Sequence, residues 1–199
     1  MRILAFSDLH RDVAAAQRIA EASTNADVII GAGDFATCGE GAKDTLDILR
    51  GVHVPVVLVF GNHDRPDELR TLCQDWASGY LLHGDTVELQ GLTFFGVGGE
   101  IPGRNTEPWN AALTESEAHR ILQECPKDAV LITHTPPYEC ADVQRDGTHE
   151  GSRAIRAVID DRQPLLSLCG HIHFAWGSFG TLGRTRVYNL GPEVSWFYI

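Results

Sequence analysis

The chain has 199 residues, 43% of them hydrophobic and 22% charged, with a formal net charge of −11. That length suits one domain with a sizeable core, residues 1–199. The acidic balance excludes a surface built to grip DNA, RNA or anionic membrane, because phosphate-rich partners need basic patches.

No apolar stretch approaches the roughly 20 residues of a membrane span, so no membrane partner is expected. The cysteines (Cys38, Cys73, Cys125, Cys140 and Cys169) are odd in number and nowhere spaced C-x-x-C. That argues against a disulfide framework or a zinc ribbon and for a reducing compartment. Met1-Arg2 runs straight into an apolar strand rather than a leader, and a cytoplasmic location is expected.

Arg2–Phe6 reads as a first strand that delivers Ser7-Asp8-Leu9-His10. Val13, Ala16, Ile19 and Ala20 recur at helical spacing, giving an amphipathic helix from Asp12 to Ser23. Val28–Ile30 is a short buried strand ahead of Gly33-Asp34, and Asp44–Arg50 is a modest helix closed by Gly51. Val56–Phe60 is a buried strand that stops at Gly61-Asn62-His63-Asp64, and Pro66 opens a helix reaching Trp76. Leu81-Leu82, Thr86–Leu89 and Leu92–Val97 are short strands separated by Gly84-Asp85 and Gln90-Gly91, the pattern of antiparallel hairpins. A loop over 98–110 follows. Thr114-Glu115-Ser116-Glu117 has capping-box spacing and starts a helix reaching Glu124. Ala129–Ile132 is a strand ending at Thr133-His134, and a polar loop over 138–150 precedes a helix from Ser152 to Asp161. Leu165–Cys169 leads to Gly170-His171-Ile172-His173, and residues 174–199 alternate enough for two or three strands, the last, Val194–Ile199, either a buried strand, the simpler reading, or an interface edge.

Chemistry gathers just past the apolar runs, where loops from different strands converge in open α/β sheets. Five of the nine histidines fall there, whereas His53, His83, His119 and His149 do not. Each piece alone is weak, since Asp-x-His recurs by chance and a lone histidine after a strand is ordinarily packed or solvated. The ordered set carries the weight. Asp8, His10, Asp34, Asn62, His134, His171 and His173 offer oxygen and nitrogen donors and no thiolate, more than one tetrahedral zinc needs. Such a set suits two first-row divalent ions: Mn, Fe, Zn, Co or Ni. The i, i+2 spacing of Asp8 with His10 and of His171 with His173 would project each pair to one side of an extended segment.

Taken together, Asp8-x-His10, Gly33-Asp34, Gly61-Asn62-His63-Asp64, His134 and Gly170-His171-x-His173 resemble the motif set of the calcineurin-like metallophosphoesterase superfamily. The resemblance implies an α/β fold, a four-layer αββα sandwich of two mixed β-sheets flanked by helices. It also implies two divalent metal ions, manganese first, and hydrolysis of phosphate esters by in-line attack of a hydroxide shared between them. Residue by residue, Asp8, His10, Asp34 and His173 would hold the first ion. Asp34 as the bridge, with Asn62, His134 and His171, would hold the second. His63, protonated, would be the general acid at the leaving oxygen, with Asp64 orienting it. One departure is Arg11, which stands where the family commonly has glycine.

Specificity would come from the loops 98–110 and 138–150, long enough to rim a pocket. Arg11, Arg104 and His149 are candidate substrate contacts, though an ordinary surface role is the simpler reading of each. His149 stands out because the helix after it could turn its N-terminus to an anion. Trp109 or Tyr138 could stack on a substrate. The expected substrate is a small phosphate ester, with phosphodiesters ahead of phosphomonoesters and phosphoproteins. Two other readings compete: a non-catalytic metal-binding scaffold on the same fold, in which ligands are usually eroded, and a metal-dependent nuclease, which the acidic balance opposes.

Overall fold

Runs that are apolar at every position need cover on both faces, because successive strand side chains point to opposite sides. The computed structural model, which describes residues 1–199, provides that cover in four layers. The first sheet orders β11 (Ser195–Tyr198), β1 (Arg2–Phe6), β2 (Val28–Gly31), β3 (Val56–Leu58) and β4 (Gly79–Leu81). All neighbours in it are parallel except β11, which pairs antiparallel with β1. The helices α1 (Val13–Ala22), α2 (Ala42–Leu49) and α3 (Pro66–Gln74) are the crossovers between its parallel strands.

The second sheet orders β5 (Asp85–Leu89), β6 (Leu92–Val97), β7 (Val130–Thr133), β8 (Leu166–Cys169), β10 (Thr185–Asn189) and β9 (Phe179–Leu182). Its middle is parallel and both edges are antiparallel. Helices α4 (Glu115–Leu122) and α5 (Arg153–Arg162) connect β6 to β7 and β7 to β8.

Alternation along each strand sorts the core into three layers. Leu4, Phe6, Ile29, Val56 and Leu58 face α1–α3 and pack on Ala16, Ile19, Leu46 and Leu69. The residues between them, Ile3, Ala5, Val28, Ile30 and Val57, face the other sheet and meet Phe94, Val130, Ile132, Leu166 and Leu168. The far side of the second sheet, including Phe95, Val97, Leu131 and Val187, packs on Leu122, Ile155 and Ile159. Each fully buried Leu, Ile or Phe contributes about 1.5–3 kcal/mol over leaving it exposed.

Helix starts follow the local chemistry. Asp12 caps α1 by accepting from the Ala15 N–H, and Thr114 and Glu117 form a reciprocal capping box on α4. Two expectations need correction. Leu81-Leu82 does not open a hairpin with 86–89; Leu81 ends β4, which runs parallel to β3 in the first sheet, and the antiparallel hairpin is β5–β6 alone. The Gly84 turn therefore carries the chain from one sheet to the other. Of the two readings of the last strand, the favoured burial gives way to the edge: β11 ends the first sheet, with Phe197 inside and Tyr198 69% exposed. No helix is long and apolar enough to cross a membrane.

Candidate metal centre

The parallel strands β1, β2, β3, β7 and β8 release their chains into one cluster of loops, and every motif residue lies just past one of those ends. The expected extended pairs are absent. Asp8, His10, Asp34 and His171 all have positive φ (55°, 44°, 59° and 71°), and His173 begins a short 3-10 turn. Tight left-handed turns, not extended segments, bring the donors together. A non-glycine residue in that region stores about 1–3 kcal/mol of strain, which the surroundings must hold in place. Here the restraint is a run of backbone bonds from Asp8, His10 and Arg11 to the carbonyls of Gly33, Asp34 and Phe35.

Arg11 shares this geometry, with φ of 68°. Glycine is the natural occupant of such a backbone, which explains the family preference from which Arg11 departs. Its guanidinium pairs with Asp44 at 3.3 Å.

The donors form two groups joined at Asp34. On one side, His10 Nε2 lies 3.2 Å from His173 Nε2 and 3.5 Å from Asp34 Oδ2, and His173 Nε2 lies 3.6 Å from Asp8 Oδ1. On the other, His134 Nε2 lies 3.4 Å from the same Asp34 oxygen and 3.2 Å from Asn62 Oδ1, which is 3.1 Å from His171 Nδ1. Neighbouring ligands on one ion, each bonded at about 2.1 Å, stand roughly 3–3.5 Å apart, so these separations fit metal sites.

The tautomers fit as well. His10 Nδ1–H donates to the Ala36 carbonyl and His134 Nδ1–H to the Ala32 carbonyl, so both Nε2 atoms are turned inward as ligands. The Nε2 atoms of His10 and His173 stand 3.2 Å apart, and with Asp8 they form a group that could hold a metal ion. Burial opposes charge on both Asp34 and His134. Their 3.4 Å contact outweighs it, lowering the carboxyl of Asp34 and raising His134 to about 10.

Glycines at two of these turns permit the approach. A Cβ on Gly61 would overlap Asp34 Oδ1, and one on Gly170 would overlap Ser7 Oγ and Asp8. Asp8 is further fixed by the His171 N–H and by Trp176 Nε1–H at 3.1 Å.

His63 lies at the rim of the centre, edge-on to His10 and stacked on Trp109 with ring centroids 4.4 Å apart. The Cys38 N–H donates to its Nδ1 at 3.0 Å. Burial lowers its pKa, and the neighbouring histidines add to this against the pull of Asp34. Asp64 does not orient His63, contrary to expectation. Its fully buried carboxylate accepts the backbone N–H groups of Asp34, Ala36 and Gly61 at 2.7–2.8 Å. Asp64 therefore shapes the loops that carry Asp34 and Asn62. Burial and the nearby Asp34 push its pKa up to about 7, against those donors.

A cleft of about 310 Å³ opens on the cluster, lined by Asp34, Asn62, His63, Gln144, His171 and His173. Arg104 and His149 are not among them. Arg104 pairs with Glu150, tying the 98–110 loop to the 138–150 loop. His149 Nδ1 contacts the buried Asp142 at 2.7 Å, which raises its pKa. The start of α5 is already filled by Glu115, which accepts from Ser152 Oγ and from the Arg153 and Ala154 N–H groups. No anion site remains there.

Sequence reasoning missed Glu100 and Asn110. Glu100 is buried, with Oε1 3.5 Å from His171 Nε2, and Oε2 accepts Asn110 Nδ2–H at 2.9 Å. Burial would raise its pKa, but the contacts with His171, Asn110 and the Arg104 N–H hold it at about 2. Its signal was available: Gly98-Gly99-Glu100 follows the apolar run of β6, another parallel strand ending at the same edge.

The sequence profile of calcineurin-like phosphoesterases matches residues 1–175. The chain belongs to that family. Among solved structures, TT1561 of Thermus thermophilus is similar to this chain at 22% identity and a TM-score of 0.77, covering 98% of this chain and 97% of that one. The phosphopantetheinyl hydrolase PptH of Mycobacterium tuberculosis is similar at 17% identity and 0.60, covering 96% and 89%. An archaeal phosphodiesterase is similar at 17% identity and 0.58, covering 96% and 84%. At these identities the likeness is one of fold. No curated protein sequence matches the chain.

Proposed function

We propose that this single-domain chain is a dinuclear-metal phosphoesterase acting on small phosphate esters, phosphodiesters ahead of monoesters. The observation that carries the reading is Asp34 Oδ2, 3.5 Å from His10 Nε2 and 3.4 Å from His134 Nε2, the position of a bridging ligand. Asp8, His10, Asp34 and His173 would hold one divalent ion. Asp34, Asn62, His134 and His171 would hold the other, with manganese the first choice for both. When bound, the ions supply Lewis acidity and lower the pKa of water enough to provide a nucleophile near neutrality.

The chain's own groups do the rest. Because the Cys38 N–H occupies Nδ1 of His63, the ring proton sits on Nε2. His63 thus donates a hydrogen bond to the leaving oxygen as a neutral imidazole, and the Trp109 stack sets its tilt. Preference for diesters is supported by the cleft lining, which contains no Arg or Lys. A monoanionic diester needs less compensating charge than a dianionic monoester. The five free thiols favour a cytoplasmic setting.

The test is turnover of a panel of chromogenic mono- and diesters by the purified chain with added Mn²⁺. Diester hydrolysis that Asp34→Asn abolishes supports the reading; no hydrolysis of either class with two ions bound contradicts it.

A further inference from the structure

Two ligands of the inferred second position, Asn62 and His171, are joined behind the site by one polar relay. The Asn62 amide donates from Nδ2 to Asn110 Oδ1 at 3.0 Å. Asn110 in turn donates from Nδ2 to Glu100 Oε2 at 2.9 Å, and Glu100 Oε1 faces His171 Nε2 at 3.5 Å. The backbone holds the relay in place. Gly99 N–H donates to the Phe60 carbonyl, Glu100 N–H to that of Ala111, and Ala111 N–H to that of Asn62.

The direction of each donor matters. An amide has one donor end and one acceptor end, so Asn110 taking the Asn62 NH₂ leaves Asn62 Oδ1 pointing at His134 and His171. An imidazole facing a carboxylate at one nitrogen keeps its proton there and offers the other nitrogen as a lone pair. For His171 the carboxylate is at Nε2, and the nitrogen beside Asn62 is Nδ1. Two ligands of the other position follow a different rule, since His10 is oriented by a backbone carbonyl and Asp8 by Trp176 and the His171 N–H.

We propose that Glu100 and Asn110 are positioning residues that set the Asn62–His171 metal position selectively, so that one buried carboxylate controls whether the centre holds one ion or two. The inference rests on the two-metal reading above. Outer partners of metal ligands typically change affinity by about 10–100-fold, and that size of effect is expected on one position alone.

The experiment is calorimetric titration of the metal-free chain with Mn²⁺, with folding of each variant checked by circular dichroism. Wild type is expected to bind two ions, and His173→Ala marks the step that belongs to the Asp8 position. Glu100→Ala should weaken the other step about 10–100-fold and leave the Asp8 step unchanged. Glu100→Gln offers one acceptor oxygen instead of two and should also weaken that step. If Glu100→Ala fails to fold, Glu100→Gln decides. Two ions in wild type with both steps unchanged, or both lowered equally, overturn the relay alone. A wild-type isotherm with one ion overturns the relay and the two-metal reading together.

Discussion

The Cys38 N–H donates to Nδ1 of His63 at 3.0 Å, and this one bond decides where the imidazole carries its proton. Burial of the ring lowers its pKa, against the pull of Asp34.

The consequence is graded by leaving group. His63→Ala should lower turnover about 10²–10³-fold for alkyl diesters, whose leaving oxygen needs a hydrogen-bond donor, and far less for p-nitrophenyl diesters. Steady-state kinetics on the two substrate types measures the difference. Metal content by elemental analysis should stay at the wild-type value.

Asp64 makes a separate prediction because it holds backbone, not His63. Asp64→Ala leaves the N–H groups of Asp34, Ala36 and Gly61 without their acceptor. Each buried unpaired donor costs about 1–3 kcal/mol. Thermal unfolding should show a large drop in Tm, and the loss of activity should be the same for good and poor leaving groups.

Much of the centre was legible because its ligands follow apolar runs at strand ends, a pattern set by local sequence. Residues such as Asp8 and His171 are recognisable from their neighbours alone. What Asp64, Trp109, Asn110 and Trp176 touch is set by the approach of loops far apart in the chain, which spacing does not encode. Asp64 sits beside His63 in sequence yet turns to bonds in the 34–36 loop. Glu100 is legible by the same pattern, since β6 ends at the same edge as the strands that carry the ligands. In the fold, the Gly84-Asp85 turn was recognised but its partner strand was not. Whether β4 pairs with β3 or with β5 depends on the first sheet having an open edge.

Gly61 tests the close packing of the loops. A methyl there would overlap Asp34 Oδ1, the oxygen that accepts the His63 N–H at 2.8 Å. Gly61→Ala should cost about 1–3 kcal/mol in stability, as overpacking does, and reduce metal content. Chemical denaturation and elemental analysis check the two effects.

The loop over 138–150 should respond to pH through His149. The Asp142 contact raises His149 above its ordinary value of 6.5. A group raised on folding contributes fully below the unfolded value and loses that contribution as pH rises through the folded one. Amide exchange in residues 142–151 should therefore be slowest, after correction for intrinsic rates, below about pH 6.5 and should quicken at higher pH. In His149→Asn the corrected rates should be flat across that range.

The proposed two-ion centre, bridged by Asp34, would cleave phosphodiesters. The most direct measurement is diester turnover by the metal-free chain titrated with Mn²⁺. Activity should rise with added metal and saturate at two ions per chain. Full activity at one ion, or none at saturating Mn²⁺, would contradict the claim.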